Sequence, residues 1–236
     1  LIVDAAMKTN REISLYDGNF IVINKNTLVI GISERTTTEA VDLLIDRFLA
    51  TEDPPLTIFA LLLPRERAFI HLDMVFTVLD KDLCLVHEPV VLGKDRATVI
   101  RIGLKKNGER EITRVDNLLE GLKNEGITLQ PILCGGKDPR LQQREQWISG
   151  ANSFAFSPGK IILYDCNEAT LKELEKGGFK ISLASHFLSG RDSIDSYKRL
   201  VVGVPGVELA RGGGGIRCMT MRSEEHTSEL QSRITI

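Results

Sequence analysis

The chain has 236 residues, 42% of them hydrophobic and 26% charged, with a formal net charge of −2. That composition fits a soluble globular chain with one sizeable core and gives no charge excess to favour nucleic acid or another polyanion. No run reaches the roughly 18 to 20 apolar residues of a membrane helix, and LIVDAAMKTNREIS at the N-terminus lacks the basic start, apolar stretch and cleavage site of a signal peptide; a cytoplasmic setting is expected.

Taken in chain order, Phe20 to Asn24 (FIVIN) and Thr27 to Ile32 (TLVIGI) read as two short β-branched strands around a Lys25–Asn26 turn. Thr36 and Glu39 form a capping-box pattern, and Ala40, Val41, Leu44, Phe48 and Leu49 recur at helical spacing on one face. After the DPP break, Leu56 to Leu63 predicts a third strand. The order strand, strand, helix, strand recurs in Ala68 to Leu79, Leu83 to Val86, a helix over Val115 to Glu125 stopped by Gly126, and Ile127 to Leu133. It recurs again in Ser153 to Phe156, Ile161 to Tyr164, a helix over Ala169 to Lys176 and Lys180 to Ala184. Three copies of one unit predict a repeat architecture, with modules packed around an axis and function at that axis.

The four cysteines, Cys84, Cys134, Cys166 and Cys218, have no CxxC spacing, so neither a zinc site nor a disulfide framework is indicated. Three of them sit in or beside apolar runs and read as inert. Cys218 differs: it follows Gly212 to Gly215 in GGGGIRCMT, where glycines let backbone N–H groups approach a ligand and leave the next side chain unshielded. It is the first candidate nucleophile, against the alternative of a flexible linker followed by a buried cysteine. On FIHLDMVFT, read as a strand, His71 and Asp73 are two apart and share a face. Such a polar pair is costly unless paired or used; a satisfied core histidine and a metal-ligating pair are the competing readings. Trp147, the only tryptophan, reads as a packing anchor.

GISERTT (31–37), HLDMVFT (71–77), REQWISGAN (144–152) with the following SPGKIILYDCNEAT, and GVELARGGGGIRCMTM span nearly the whole chain from Ser14 to Met221. In order and spacing they resemble the arginine deiminase family of the guanidino-group-modifying superfamily. The resemblance implies an α/β fold, a pentein-type α/β propeller of repeated ββαβ modules, incomplete here at the N-terminus. It implies L-arginine as the small-molecule substrate, citrulline and ammonia as products, no metal or organic cofactor and no nucleic-acid or membrane partner, and it leaves a homo-oligomer open. Cys218 would attack the guanidinium carbon, Asp73 would anchor guanidinium nitrogens, and His71 would protonate departing ammonia and then activate water. Arg35, otherwise a surface residue at a helix start, would bind the substrate α-carboxylate, and Gly215 would also contact substrate; Arg144, Gln146 and Asn152 are further candidates.

The chain departs from the family pattern at two positions. Tyr16 stands where the family has a glutamate, and Gly213 where it has an arginine five residues before the cysteine, with Arg211 two places upstream. Residues 1–221 then form a partial catalytic domain, with Met7, Arg11 and Glu12 as a remnant of upstream modules that carry a further catalytic aspartate. RSEEHTSELQSR, within 222–236, is polar, lacks periodicity and reads as an adapter-like, non-native tail that gives His226 no functional weight. An amidinotransferase shares the Cys, His and Asp set but passes the amidino group to an amine. A catalytically inactive arginine-binding fragment is the third reading, favoured by Tyr16 and Gly213.

Overall fold

A computed structural model of the chain describes residues 14–51, 54, 56–105 and 107–220. Strands β1 (Phe20–Asn24), β2 (Thr27–Ile32) and β3 (Thr57–Leu62) lie close to their expected positions, with helix α1 (Thr38–Leu49) between the last two. The helix starts one residue later than the capping-box pattern suggests. Thr37 is the N-cap and accepts from the Ala40 N–H at 3.3 Å, while Thr36 is buried and accepts from the Tyr16 backbone N–H at 3.1 Å.

The second repeat departs further from expectation. Residues 68–74 are not strand: they make two 3-10 turns, Arg67–Phe69 and Leu72–Met74, before β4 (Phe76–Asp80) begins and pairs with β5 (Leu83–Val86). A four-residue helix α2 (Glu88–Val91) follows, and then a hairpin, β6 (Thr98–Leu104) and β7 (Arg110–Val115), which the repeat pattern passes over. β7 consumes the start of the expected helix, so α3 is only Leu118–Asn124, capped by Asn117 accepting from the Glu120 N–H at 3.0 Å. After β8 (Gln130–Leu133) and α4 (Pro139–Trp147), the third repeat supplies β9 (Phe154–Ser157), β10 (Lys160–Tyr164), α5 (Glu168–Lys176) and β11 (Lys180–Leu183). A short helix α6 (Ala184–Leu188), β12 (Leu200–Val204) and α7 (Val207–Arg211) complete the described order.

These strands form three open sheets, β1-β2-β3-β6-β7, β4-β5-β8 and β11-β12-β10-β9. The expected propeller is therefore incorrect: this is a mixed α/β fold whose sheets, among the described residues, do not close on themselves or into a ring. Two long-range pairings make the repeats unequal. The β6–β7 hairpin widens the first sheet through antiparallel pairing of β6 with β3, and β12 inserts between β10 and β11, parallel to both.

Side chains that alternate between two buried faces bind the sheets together. Leu28 and Ile30 of β2 pack with Val41, Leu44 and Ile45 of α1, while Val29 joins Phe59, Leu61, Phe76, Cys84, Val86 and Leu122 on the other face. In β5, Cys84 and Val86 join that core, whereas Leu83 and Leu85 join Ile161, Leu163 and Leu174 of the third repeat. Strands buried on both faces read as continuous apolar runs for this reason. Trp147 does not anchor the core: it is 58% exposed. Among the described residues no helix is long and apolar enough to cross a membrane. The N-terminal residues read as a remnant and the tail after Met221 lie outside the described residues.

Candidate functional site

Asn19, fully buried in the 3-10 turn Asp17–Asn19 just before β1, holds the 71–74 turn in place. Its Oδ1 accepts from the Leu72 N–H at 2.8 Å, and its Nδ2 donates to Ser33 Oγ at 3.1 Å and Thr36 Oγ1 at 3.0 Å. Ser33 Oγ in turn donates to the Ile70 carbonyl at 2.7 Å. These side-chain bonds offer residues 70–72 an alternative to a strand ladder, which is why the segment turns. From the opposite side Gln146 Nε2 donates to the Ala68 carbonyl at 2.7 Å. The turn buries both His71 and Asp73.

Cys218 lies in another 3-10 turn, Arg217–Met219, after glycines whose conformation is specific: Gly213 and Gly214 have φ of 84° and 96°, a region that other residues rarely adopt. Asn152 joins the two turns. Its Oδ1 accepts from the Cys218 N–H at 3.2 Å, and its Nδ2 donates to the Asp73 carbonyl at 3.4 Å. Gly215 packs directly on Asn152, where an added Cβ would lie 2.5 Å from Oδ1. A donor atom from each of His71, Asp73 and Cys218 lies within 4.8 Å of the others. The three expected residues thus converge, although through two turns and not along one strand face.

Sequence reasoning passed over Arg217, which decides much of the electrostatics. Its Nη1 donates to Asp73 Oδ2 at 2.8 Å and its Nη2 to the Phe20 carbonyl at 3.0 Å. Asp73 Oδ1 and His71 Nε2 are buried and have no hydrogen-bond partner among the described residues. The available signal was a lone charge beside the cysteine in an otherwise glycine-rich and apolar motif. Burial pushes the Asp73 carboxyl above its ordinary range, opposed by the charge and hydrogen bond of Arg217 and by Asn152. The 2.8 Å contact with Arg217 favours the ionised form.

Burial lowers the His71 imidazole, and the charges of Arg35 and Arg217 lower it further. Cys218 is exposed, yet enough protein surrounds its sulfur for desolvation and the Asp73 charge to raise the thiol; the Gly215 backbone, Asn152 and Arg217 act in the opposite direction. A neutral thiol and a neutral imidazole therefore face each other. Arg35 is exposed in the β2–α1 turn, with its backbone N–H on Ser33 Oγ at 3.1 Å. Tyr16 stacks on the imidazole of His71, with ring centroids 4.3 Å apart and planes 8° from parallel.

The further candidates Gln146 and Asn152 act as supports through the contacts above, and so does Glu145, which sequence reasoning did not single out. Glu145, buried, accepts from the N–H groups of Ala169 and Thr170 at 2.8 and 2.7 Å and from Thr170 Oγ1 at 2.6 Å, so it caps α5. Cys84 and Cys134 are buried, and burial raises both thiols, Cys134 to about 12, as expected for inert cysteines. A cavity of about 400 Å³ between β1, β4 and residues 126–129 includes Arg217 in its wall but none of His71, Asp73 and Cys218. The converging reactive groups, not that cavity, define the candidate site.

Residues 1–223 match a family model described as arginine deiminase. The chain is 36% identical over 226 residues to an arginine deiminase of Treponema denticola, covering 92% of this chain and 50% of that protein. It is 35% identical over 213 residues to an arginine deiminase of Mycoplasma capricolum, covering 89% of this chain and 47% of that protein. It is 33% identical over 217 residues to one of Clostridium perfringens, covering 90% and 47%. The chain spans about half the length of the curated relatives it matches.

Proposed function

The chain belongs to the arginine deiminase family, and from that membership we propose that it hydrolyses the guanidinium group of L-arginine to L-citrulline and ammonia through a covalent cysteine adduct. The observation that carries the proposal is the convergence of Cys218, His71 and Asp73 within 4.8 Å. A guanidinium stays charged at neutral pH and its carbon is a poor electrophile for water, so a sulfur nucleophile divides one difficult substitution into two.

In the first half, Cys218 Sγ attacks the guanidinium carbon while its proton passes to His71, whose lowered pKa keeps the ring neutral and able to accept it. The C–N bond breaks as His71 returns that proton to the leaving nitrogen, and ammonia departs from a cysteine-bound amidino group. In the second half His71 takes a proton from water, the resulting hydroxide oxygen bonds to the same carbon, the C–S bond breaks as His71 passes that proton to the sulfur and restores the thiol, and the product leaves as citrulline once its O–H proton passes to solvent. Asp73 Oδ1, which has no partner among the described residues, is the acceptor for a substrate N–H. Asp73 Oδ2 is held by Arg217, so that arginine aims the carboxylate. Arg35 supplies the charge for the substrate α-carboxylate, and Gly215, with no Cβ, leaves room beside Asn152 for the cysteine turn.

A catalytically inactive arginine-binding protein is a second reading, supported by Tyr16, which covers one face of the imidazole. Incubation with L-arginine, followed by citrulline detection and mass spectrometry of the intact protein after acid quenching, tests the choice. The proposal expects citrulline and an adduct on Cys218, both absent in Cys218→Ser, because a hydroxyl is far less nucleophilic at neutral pH. Arginine binding without either product would reject it in favour of the second reading.

A further inference from the structure

We propose that His71, Asp73 and Cys218 bind one borderline-soft divalent cation of the zinc class, reversibly, and that this cation excludes the guanidinium substrate. The metal site stands on geometry alone, whereas the exclusion rests on the function proposed above. The donors are an imidazole nitrogen, a carboxylate oxygen and a sulfur, within 4.8 Å of one another. His71 Nε2 and Asp73 Oδ1 are buried and unpartnered among the described residues, and both residues are more than nine-tenths buried. Two buried polar atoms without partners beside an exposed thiol make an unfilled polar cluster, and buried polar atoms are ordinarily satisfied.

Donor chemistry selects the ion. Nitrogen and sulfur together disfavour Mg²⁺ and Ca²⁺, which take oxygen shells, and favour Zn²⁺, which accepts all three donor types at about 2.0–2.3 Å. Tetrahedral coordination at those lengths separates donors by about 3.3–3.6 Å. The present spacing therefore has to close by a little over an ångström, within reach of a rotamer change at exposed Cys218. Metal binding displaces the thiol proton to solvent and leaves a thiolate, an imidazole and a carboxylate on the ion, with the fourth position open to water. Arg217 on Oδ2 does for Asp73 what a hydrogen-bond partner does for a ligating carboxylate: it orients the free oxygen. Arg35 and Arg217 also place positive charge nearby, which limits affinity and makes the site removable by chelators.

Cobalt(II) titration of the full chain is the test, since a thiolate on Co²⁺ gives a near-ultraviolet charge-transfer band and tetrahedral geometry gives intense visible bands. One equivalent of Co²⁺ should bind, be displaced by Zn²⁺ and removed by EDTA, and be unaffected by Mg²⁺. Cys218→Ser should abolish the charge-transfer band, and His71→Ala should weaken binding at least about a hundredfold, beyond the 10–100-fold typical of losing an outer partner. Cys166→Ser should change nothing. Iodoacetamide alkylation of Cys218 in folded Cys166→Ser protein should give the same loss of the band without a substitution at the site. Failure to bind one equivalent, or a band that survives in Cys218→Ser, overturns the metal site. If the metal binds but saturating L-arginine leaves its affinity unchanged, the exclusion is overturned and the metal site stands.

Discussion

Replacing Arg217 by glutamine perturbs the contact on which the geometry of the site depends. Arg217 and Asp73 side chains are 14% and 1% exposed and meet at 2.8 Å, so the variant strands a carboxylate where water does not reach. Removing one partner of a buried pair costs about 3–5 kcal/mol, whereas an exposed pair is worth at most about 1 kcal/mol. The first range is the expectation at pH 8. Burial already holds Asp73 above its ordinary value and Arg217 opposes that; without the arginine the folded pKa rises further. Between the unfolded value, about 3.9, and the raised folded value, the native state binds more protons than the unfolded chain. Stability therefore falls as pH rises through that window. Relative to the parent chain, Arg217→Gln should recover stability between pH 8 and pH 5. Adding Asp73→Asn removes the stranded charge, so the double variant should be more stable at pH 8 than Arg217→Gln alone. Urea unfolding followed by circular dichroism at both pH values reads each free energy. A loss at pH 8 below about 1 kcal/mol, or one equal at the two pH values, would refute the reasoning.

Gly215→Ala should lose about 1–3 kcal/mol in the same assay, because the new Cβ meets Asn152 Oδ1 at 2.5 Å and displaces the acceptor of the Cys218 N–H; a neutral result would show that Asn152 can move freely. Glu145→Gln should cost about 1–2 kcal/mol and speed hydrogen exchange at Ala169 and Thr170, since the variant removes a charged acceptor from the first turn of α5. His87, buried against Phe69, has its pKa lowered to about 4 by burial. Its folded value lies below the unfolded one, so its contribution to stability is full above about pH 6.5 and is lost as pH falls toward 4. The loss approaches about 3 kcal/mol. His87→Phe should flatten that acid slope, and an unchanged slope would place its origin elsewhere. Arg35→Gln should raise the His71 pKa measured by NMR titration, because one of the charges that lower it is gone; no upward shift would place the Arg35 guanidinium away from the imidazole.

Most individual elements were legible because their information is local. β1, β2, β10 and α1 follow from β-branched runs and helical spacing. Cys218, His71 and Asp73 follow from a glycine run before a cysteine and a polar pair inside an apolar stretch. The β6–β7 hairpin was not legible: β7 has mostly exposed side chains, so no alternation marks it. Residues 68–74 alternate as a strand would, yet Asn19 takes the Leu72 N–H and turns them. Modules around an axis were expected from the threefold recurrence of one element order, and the propeller from the resemblance, but the β3–β6 and β10–β12 pairings produce open sheets instead. The sequence alone determined which segments are apolar and which reactive side-chain types stand within them, since both are properties of neighbouring residues. Only the tertiary structure decided that Arg217, 144 residues from Asp73, holds its carboxylate, and that two turns, not one strand, bring the site together. Periodicity records what each segment must bury, but the partner that buries it is selected by packing across the whole chain, where distance along the sequence carries no weight.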